Sequence, residues 1–376
     1  METAPIIFNY LTAMNDHNAS DLYLTVSFPP SVRTDTGLIK LREEPLTVDE
    51  LNDLLNVLLT SRQAREFDTK MEMNTSLDMG ERGRFRVNVL RQRSHPAMVI
   101  RRIVTSIPTF DKLKLPDIFA DLSMERRGFV LVTGMTGSGK STTLASMVDH
   151  RNSNEDGHII TIEDPIEYFH EHKRCVVTQR EVGADTDSYQ VAMKNALRQR
   201  PDVIMVGEIR DREVMEQALI TAETGHLCLA TIHTNNSYQA IDRIVNLFPD
   251  EMQVQVRLNL AMNLKAIISQ RLLPSLKGGM VLAIEIMLNK GLVKELILKG
   301  DIGKIRDVME QNQSSGMVTF DQSLFKLYQE GHITEETTIS QSDRPGDMKI
   351  KIQKSRMVDG EEGLKDLDTS VLSIHD

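Results

Sequence analysis

The chain has 376 residues, of which 40% are hydrophobic and 26% charged, and its formal net charge is −10. This length exceeds the size at which one hydrophobic core keeps growing, so we expect a globular protein of two domains. The acidic balance argues against a broad nucleic-acid-binding surface, which needs clustered lysine and arginine. No apolar run approaches the roughly 18 residues that span a bilayer, so we expect a cytoplasmic protein without direct membrane insertion.

The first hundred residues predict a small α/β domain, over residues 1–104. Thr47 and Glu50 form a capping box before a helix whose apolar face carries four leucines. Those leucines are Leu51, Leu54, Leu55 and Leu58. Alternating polarity predicts strands at residues 21–27, 74–79, 84–93 and 97–103.

Two prolines and mixed polarity mark residues 105–116 as a hinge or linker. Beyond it, apolar segments alternate with helical ones, which is typical of a mostly parallel sheet covered on both faces. The segments that predict buried strands are residues 129–133, 158–162, 203–206 and 227–232. We assign a second domain to residues 117–341, helical after Gly291, and expect a flexible polar tail over residues 342–376.

A glycine-rich motif, GMTGSGKS, occupies residues 134–141 and matches the pattern G-x-x-x-x-G-K-[ST] of a phosphate-binding loop. It lies between a predicted strand and helix-compatible residues, which is the context that the motif requires. The backbone N–H groups of such a loop and the positive end of the next helix both face the anion. Lys140 would reach the β- and γ-phosphates, and the Ser141 hydroxyl would hold Mg²⁺. The alternative is an ordinary glycine-rich turn.

Two acidic residues directly follow predicted strands, Glu163 after residues 158–162 and Glu208 after Gly207. Ligands of open α/β sheets bind outside the carboxyl ends of the strands, so we expect both carboxylates beside the phosphate-binding loop. There a carboxylate can hold Mg²⁺ through its water shell or orient the attacking water. For each residue alone, the alternative is a solvent-facing acid at the end of a strand.

Histidines and arginines supply further candidates. His226 and His233 flank the strand at residues 227–232, and each is either an ordinary core or surface group or a sensor of the γ-phosphate. A basic band occurs in the first domain at Arg84, Arg86, Arg91, Arg93, Arg101 and Arg102. Most of these arginines are interpreted as solvated strand faces, with one or two reaching a nucleotide held between domains or subunits.

Four motifs in order carry a family resemblance: residues 134–141, 161–168, 197–210 and 224–234. In these segments the chain resembles the secretion and twitching-motility ATPases of the RecA-like class. Within that class it is similar to the type IV pilus retraction ATPases of the PilT/PilU family. Segments such as residues 157–160 and 179–183 favour the PilU branch.

The resemblance implies an N-terminal PAS-like α/β domain, a RecA-like ATPase domain and a helical C-terminal region. It implies hydrolysis of ATP with Mg²⁺, Glu163 as general base, and Glu208 as organiser of Mg²⁺ and water, with Ser141 and Glu208 as metal-site residues. The implied nucleotide-binding residues are Gly134, Thr136, Gly137, Ser138, Gly139, Lys140, Ser141, Thr142, His226, His233, Arg84, Arg86 and Arg101.

The resemblance also implies partners. They are five further copies of the chain in a hexameric ring, a PilT-like paralogue and the platform protein of the inner membrane, to which the ring would bind peripherally. One segment departs from PilT: residues 291–297 replace an arginine-containing helix that PilT needs for retraction. Two functions stay open, an ATP-driven motor that supports retraction together with PilT and a nucleotide-gated adaptor with little power of its own.

Overall fold

The structure is a computed structural model that describes residues 6–34, 36–80, 83–103 and 106–365. The chain forms two compact units. The first comprises Met1–Pro108, Glu163–Glu171 and Gln179–Ser188, and the second comprises Thr109–Ile162, His172–Thr178 and Tyr189–Asp376. The boundary after Pro108 lies inside the predicted linker. The two internal segments of the first unit differ from the uninterrupted second domain that the sequence predicts.

The first unit contains a six-stranded antiparallel sheet with strand order β3-β2-β1-β6-β5-β4. Its elements are α1 (Ile6–Asp16), β1 (Asp21–Thr25), β2 (Ser31–Thr34), β3 (Gly37–Lys40), α2 (Val48–Leu58), α3 (Ser61–Lys70), β4 (Glu72–Asp78), β5 (Arg84–Gln92) and β6 (His95–Ile103). The predicted capping box is confirmed, because Thr47 and Glu50 exchange hydrogen bonds at the start of α2. The four leucines of α2 are buried in a core shared with α1 and the sheet.

The second unit is built on a seven-stranded sheet with strand order β13-β12-β7-β11-β10-β8-β9. Its strands are β7 (Gly128–Gly134), β8 (Gly157–Glu163), β9 (Cys175–Glu181), β10 (Val203–Val206), β11 (Leu227–Ile232), β12 (Leu264–Pro274) and β13 (Met280–Leu288). The pairs from β12 through β7, β11 and β10 to β8 are parallel, and β12 and β13 form an antiparallel hairpin. The predicted α/β class with a mostly parallel sheet is therefore confirmed.

Helices precede, connect and follow these strands. They are α4 (Phe110–Leu113), α5 (Ile118–Ser123), α6 (Lys140–Asn154), α7 (Tyr189–Ala196), α8 (Arg212–Glu223), α9 (Ser237–Asn246), α10 (Asp250–Asn263), α11 (Leu292–Lys299), α12 (Ile305–Gln311), α13 (Phe320–Gln329), α14 (Glu335–Gln341) and α15 (Pro345–Lys365). Every residue of β7, β10 and β11 is buried, as expected of parallel strands covered on both faces. None of the described helices is both long and hydrophobic enough to cross a bilayer.

The C-terminal segment differs from the flexible tail predicted from residue 342. Residues 345–365 form α15, and its Met348 and Ile352 are buried in a small core with α13 and the β12–β13 hairpin. Arg271 of β12 also forms an ion pair of 2.8 Å with Asp343. Met348 and Ile352 are spaced by one helical turn, so they present one apolar face of α15 to this core. Residues 366–376 of the predicted tail lie outside the described residues.

Ile352→Ala should lower the free energy of unfolding by about 2–5 kcal/mol, because it removes a buried side chain and leaves a cavity. Ile350→Ala is the matched control in the same helix, since Ile350 is 52% exposed, and it should change stability by about 0.5 kcal/mol or less. Denaturant unfolding of the full chain measures both. Equal stability of the two variants would contradict the docking of α15.

Candidate functional site: a phosphate-binding loop at the edge of the parallel sheet

The glycine-rich loop connects the end of β7 to the start of α6, as the motif predicts. Gly137 and Gly139 have φ of +78° and +89°, a left-handed conformation that glycine adopts without steric cost. The Ser138 N–H donates 3.2 Å to the Met135 carbonyl and closes the turn. The loop therefore has the curl that turns successive backbone groups toward a bound anion.

Gly134 is constrained by space as well as by its backbone. Its φ is +150°, and a Cβ atom there would lie 2.4 Å from the Ser138 Oγ and 2.5 Å from the Gln270 carbonyl oxygen. The Ser138 hydroxyl is buried and has no hydrogen-bond partner among the described residues. A buried polar group of this kind is usually satisfied, so the loop fits a ligand that supplies an acceptor.

The Lys140 side chain is folded back against the loop and is only 8% exposed. Its Nζ donates to the Gly134 carbonyl at 2.9 Å and to the Met135 carbonyl at 3.0 Å. Burial lowers the pKa of this ammonium, and the negative charge of Glu208 acts in the opposite direction. A carboxylate thus favours the charged form of the lysine.

His233 and Glu208 continue the polar contacts of Lys140. His233 Nδ1 lies 3.4 Å from Lys140 Nζ, and His233 Nε2 lies 2.9 Å from Glu208 Oε1. The ammonium can only donate, so this geometry favours the tautomer with its proton on Nε2, which donates to the carboxylate. Arg210 pairs with the other carboxylate oxygen at 2.9 Å. We call these four residues, Lys140, His233, Glu208 and Arg210, the lysine network.

Strand pairing explains why the four residues of the lysine network lie close together. Thr133, the residue before Gly134, is paired in register with Ile232, the residue before His233. On the other side of β11, Val206 pairs with Ala230 and is followed by Gly207 and Glu208. The Thr231 hydroxyl donates 2.6 Å to the Gly207 carbonyl and fixes the backbone beside Glu208. The sequence motifs do not single out Thr231, whose position at a strand end is the only available signal.

His226 does not join this site. It lies at the amino end of β11, and its neighbour Leu227 pairs with Gly128 at the start of β7. Its Nδ1 contacts the Thr224 hydroxyl at 3.2 Å, beyond the carboxyl end of α8. Seven residues of extended chain span about 20 Å, so His226 and His233 cannot meet the same phosphate group of one chain. Within one subunit the structure therefore brings only His233 to the phosphate-binding loop, and a sensing role for His226 stays a prediction.

Glu163 ends β8 and belongs to the first unit. It is 6% exposed, and its two carboxylate oxygens accept from Gln179 Nε2 at 3.3 Å and from the Glu167 N–H at 3.4 Å. These two bonds hold the carboxylate in place at the end of β8. Its assignment as general base stays a prediction.

The predicted arginines also belong to the first unit. The Arg84 guanidinium stacks on Phe169 at 4.8 Å from the ring centroid, and Arg101 pairs with Asp21 at 2.8 Å. The Asp21 carboxylate raises the pKa of Arg101. Arg86 of β5 lies opposite Arg101 of β6 in the strand register. Arg101 thus has a structural partner, and the roles of all three toward a nucleotide stay predictions.

A cleft of about 1070 Å³ adjoins the phosphate-binding loop inside the second unit. On the loop side it is lined by Ser138, Gly139 and Thr142. On the opposite side it is lined by the β12–β13 hairpin and α13, including Met280, Leu282 and Phe325. The cleft therefore adjoins the phosphate-binding loop at one end, and its remaining wall carries apolar side chains together with lysines such as Lys277 and Lys326.

Comparisons with known proteins show the family of this chain. The model of the family described as "Type II/IV secretion system protein" matches residues 63–284. The chain is 45% identical to the type IV pilus ATPase PilU of Pseudomonas aeruginosa, over 91% of this chain and 90% of PilU. It is 40% identical to the type IV pilus retraction ATPase PilT of the same organism, over 85% of this chain and 92% of PilT.

The chain belongs to the type II/IV secretion system protein family and is a PilT/PilU-type ATPase. A crystal structure of the pilus retraction motor PilT with bound ADP is 42% identical. It matches with a TM-score of 0.86 and covers 91% of this chain and 98% of that one. The predicted fold, with an N-terminal domain and a RecA-like ATPase domain, is confirmed by this match.

The remaining motif residues of this PilT/PilU-type ATPase lie around the loop. Thr136 and Ser141 are exposed, and Thr142 is half-buried in the first turn of α6. Ser141 follows Lys140 at the helix start, where a hydroxyl can bind a cation that bridges phosphates. One such hydroxyl fits Mg²⁺, which usually keeps several waters and takes few protein ligands.

Gly134→Ala should weaken nucleotide binding at least about tenfold, or about 1.4 kcal/mol, because the new Cβ displaces Ser138 or β12. Gly303→Ala is the control, since a Cβ at Gly303 meets nothing within 4 Å and its φ is not in the left-handed region. Titration with a fluorescent ATP analogue compares the variants. Unchanged affinity of Gly134→Ala would show that the close approach at Gly134 does not shape the site.

Proposed function

We propose that this ATPase supports type IV pilus retraction and twitching motility as a Mg²⁺-dependent homo-hexameric motor. It acts with a PilT-like paralogue on the platform protein of the pilus machine, at the cytoplasmic face of the inner membrane. The names of PilU and PilT as type IV pilus ATPases support the pilus assignment. The observation that carries the proposal is the lysine network beside a complete phosphate-binding loop. The protein that contains them matches PilU over 91% of its length.

In this proposal the triphosphate lies along the loop and over the first turn of α6. Lys140 exchanges the carbonyls of Gly134 and Met135 for β- and γ-phosphate oxygens, while Ser141 holds Mg²⁺. The helix dipole of α6 adds to the attraction for the anion. The nucleoside occupies the adjoining cleft against the β12–β13 hairpin.

The remaining site residues take the roles that hydrolysis requires. Glu163 accepts a proton from the attacking water, and Glu208 orders the water shell of the magnesium ion. His233 lies next to Lys140 and detects whether a γ-phosphate is present. Arginines of the first unit, among them Arg84, Arg86 and Arg101, add positive charge near a nucleotide in the assembled ring.

Lys140→Ala should reduce phosphate release by about two to three orders of magnitude, because the ammonium is placed where negative charge develops in the transition state. Lys304→Ala is the control, since Lys304 is exposed and pairs with Asp301 within one turn. A coupled phosphate-release assay on the purified chain with ATP and Mg²⁺ measures both. Equal rates for wild type and Lys140→Ala would remove the proposed site of catalysis.

Glu163→Gln should lower the rate of hydrolysis by about 10²–10⁴-fold, because the amide cannot accept the proton of the attacking water. ATP binding should persist, since the amide keeps the shape of the side chain. The same variant, produced in cells beside the PilT-like paralogue, should abolish assisted retraction, as scored by twitching zones. Full retraction with the variant would instead favour the nucleotide-gated adaptor.

A further inference from the structure

A row of buried polar side chains crosses three neighbouring strands of the second unit. Thr133 of β7 is paired in register with Ser269 of β12, and Ser269 is paired with Glu285 of β13. All three residues are fully buried. Buried polar groups, and a buried carboxylate above all, cost free energy unless hydrogen bonds compensate them. The hydrogen bonds that these three side chains make therefore indicate which part of the structure the row stabilises.

The row anchors both ends of the loop at residues 233–237. At one end, Thr133 Oγ1 donates 2.7 Å to the Thr234 carbonyl and accepts from the Thr234 N–H at 3.2 Å. At the other end, Glu285 Oε1 accepts from the Ser237 N–H at 2.7 Å. The Ser269 hydroxyl donates 3.2 Å to the same carboxylate oxygen. The loop is thus fixed to the sheet on both sides.

The anchored loop carries His233, the member of the lysine network that contacts both Lys140 and Glu208. Inside the loop, Thr234 Oγ1 donates 3.3 Å to the Asn236 carbonyl, and the Asn236 side chain caps α9. His233 directly precedes the Thr234 anchor, and only two residues separate that anchor from Ser237. A shift of Ser237 would therefore pass through this short segment to Thr234 and to the imidazole beside it.

Glu285 itself is not a member of the lysine network. Burial raises the pKa of its carboxyl group. Its second oxygen, Oε2, has no hydrogen-bond partner in the described part of the chain. An apolar side chain would fill this core position at lower cost. Two donors need an acceptor at this position, the Ser237 N–H and the Ser269 hydroxyl, and of these only Ser237 belongs to the loop that carries His233.

We propose that Glu285 is a positioning residue for ATP hydrolysis, which holds the Ser237 N–H and thereby aims His233 at Lys140 and Glu208. The inference rests on the proposed role of His233 in sensing the γ-phosphate. Misplacing a reacting geometry by a fraction of an ångström to 1 Å costs about 10–100-fold in rate. Substrate binding depends mainly on the phosphate-binding loop and should change little.

The experiment compares Glu285→Leu with Glu285→Gln in steady-state ATP hydrolysis by the full chain. Glu285→Leu removes the acceptor and should lower kcat about 10–100-fold, with the KM for ATP within about twofold of wild type. Glu285→Gln keeps an amide oxygen for Ser237 and should restore most of kcat. A merely structural role would lower thermal stability without this difference in kcat.

Ser237→Pro removes the same bond from the other partner. Ser237 is the first residue of α9, a position where proline is tolerated, and the preceding Asn236 is extended with φ −157° and ψ 174°, as proline requires. This variant replaces Glu285→Leu in the test if thermal unfolding shows that Glu285→Leu does not fold. Thr338→Val is the control, since the buried Thr338 hydroxyl donates 2.8 Å to the carbonyl of Thr334, the N-cap of its own helix α14.

Wild-type kcat in a folded Glu285→Leu or Ser237→Pro variant would overturn the inference. So would equal losses in Glu285→Leu and Glu285→Gln, or a rise in KM without a fall in kcat. A His233→Ala variant assayed in parallel separates the two levels. If it lowers kcat while Glu285→Leu does not, only the positioning role fails; if His233→Ala also leaves kcat unchanged, the proposed sensor fails as well.

Discussion

The buried ammonium of Lys140 is the constraint on which the site depends. A cation with so little access to water must be surrounded by acceptors, and here two loop carbonyls and an imidazole nitrogen provide them. The carbonyls come from the phosphate-binding loop itself. The same lysine therefore stabilises the fold of the loop, and in the proposed function phosphate oxygens replace these carbonyls.

The parallel sheet makes this arrangement possible. Because β7, β11 and β10 run in the same direction, their carboxyl ends deliver Gly134, His233 and Glu208 to one edge. Two hydroxyl groups then fix the backbone at these strand ends. Thr231 donates to the carbonyl of Gly207, which precedes Glu208, and Thr133 donates to the carbonyl of Thr234, which follows His233. The buried row extends the same principle to β12 and β13, because Glu285 and Ser269 connect the outer hairpin to the loop after β11.

Local patterns predict much of this molecule. The bounds of β10 and β11 agree with the apolar segments at residues 203–206 and 227–232, because buried parallel strands are short, continuous and apolar. The capping box at Thr47 and the phosphate-binding loop are also local, since all their partners lie within a few residues. The sequence likewise places Glu208 and His233 correctly at strand ends.

Features that depend on distant pairing are not predicted. The contacts of Glu285 with Ser237 and Ser269 join residues that come together only through sheet register. The apolar periodicity does not identify the β12–β13 hairpin, although the Gly278-Gly279 pair at its turn is a hairpin signal. The distance of His226 from the loop follows from strand direction, which a motif does not state. Met348 and Ile352 give α15 an apolar pattern of only one turn, too short to recognise.

Calorimetric titration of the full chain with ATP and Mg²⁺ tests most directly whether Lys140 and its loop grip a triphosphate. The account predicts saturable heat with one site per chain, lost in Lys140→Ala and retained in Lys304→Ala. A folded wild-type chain that takes up no ATP in the presence of Mg²⁺ would contradict it.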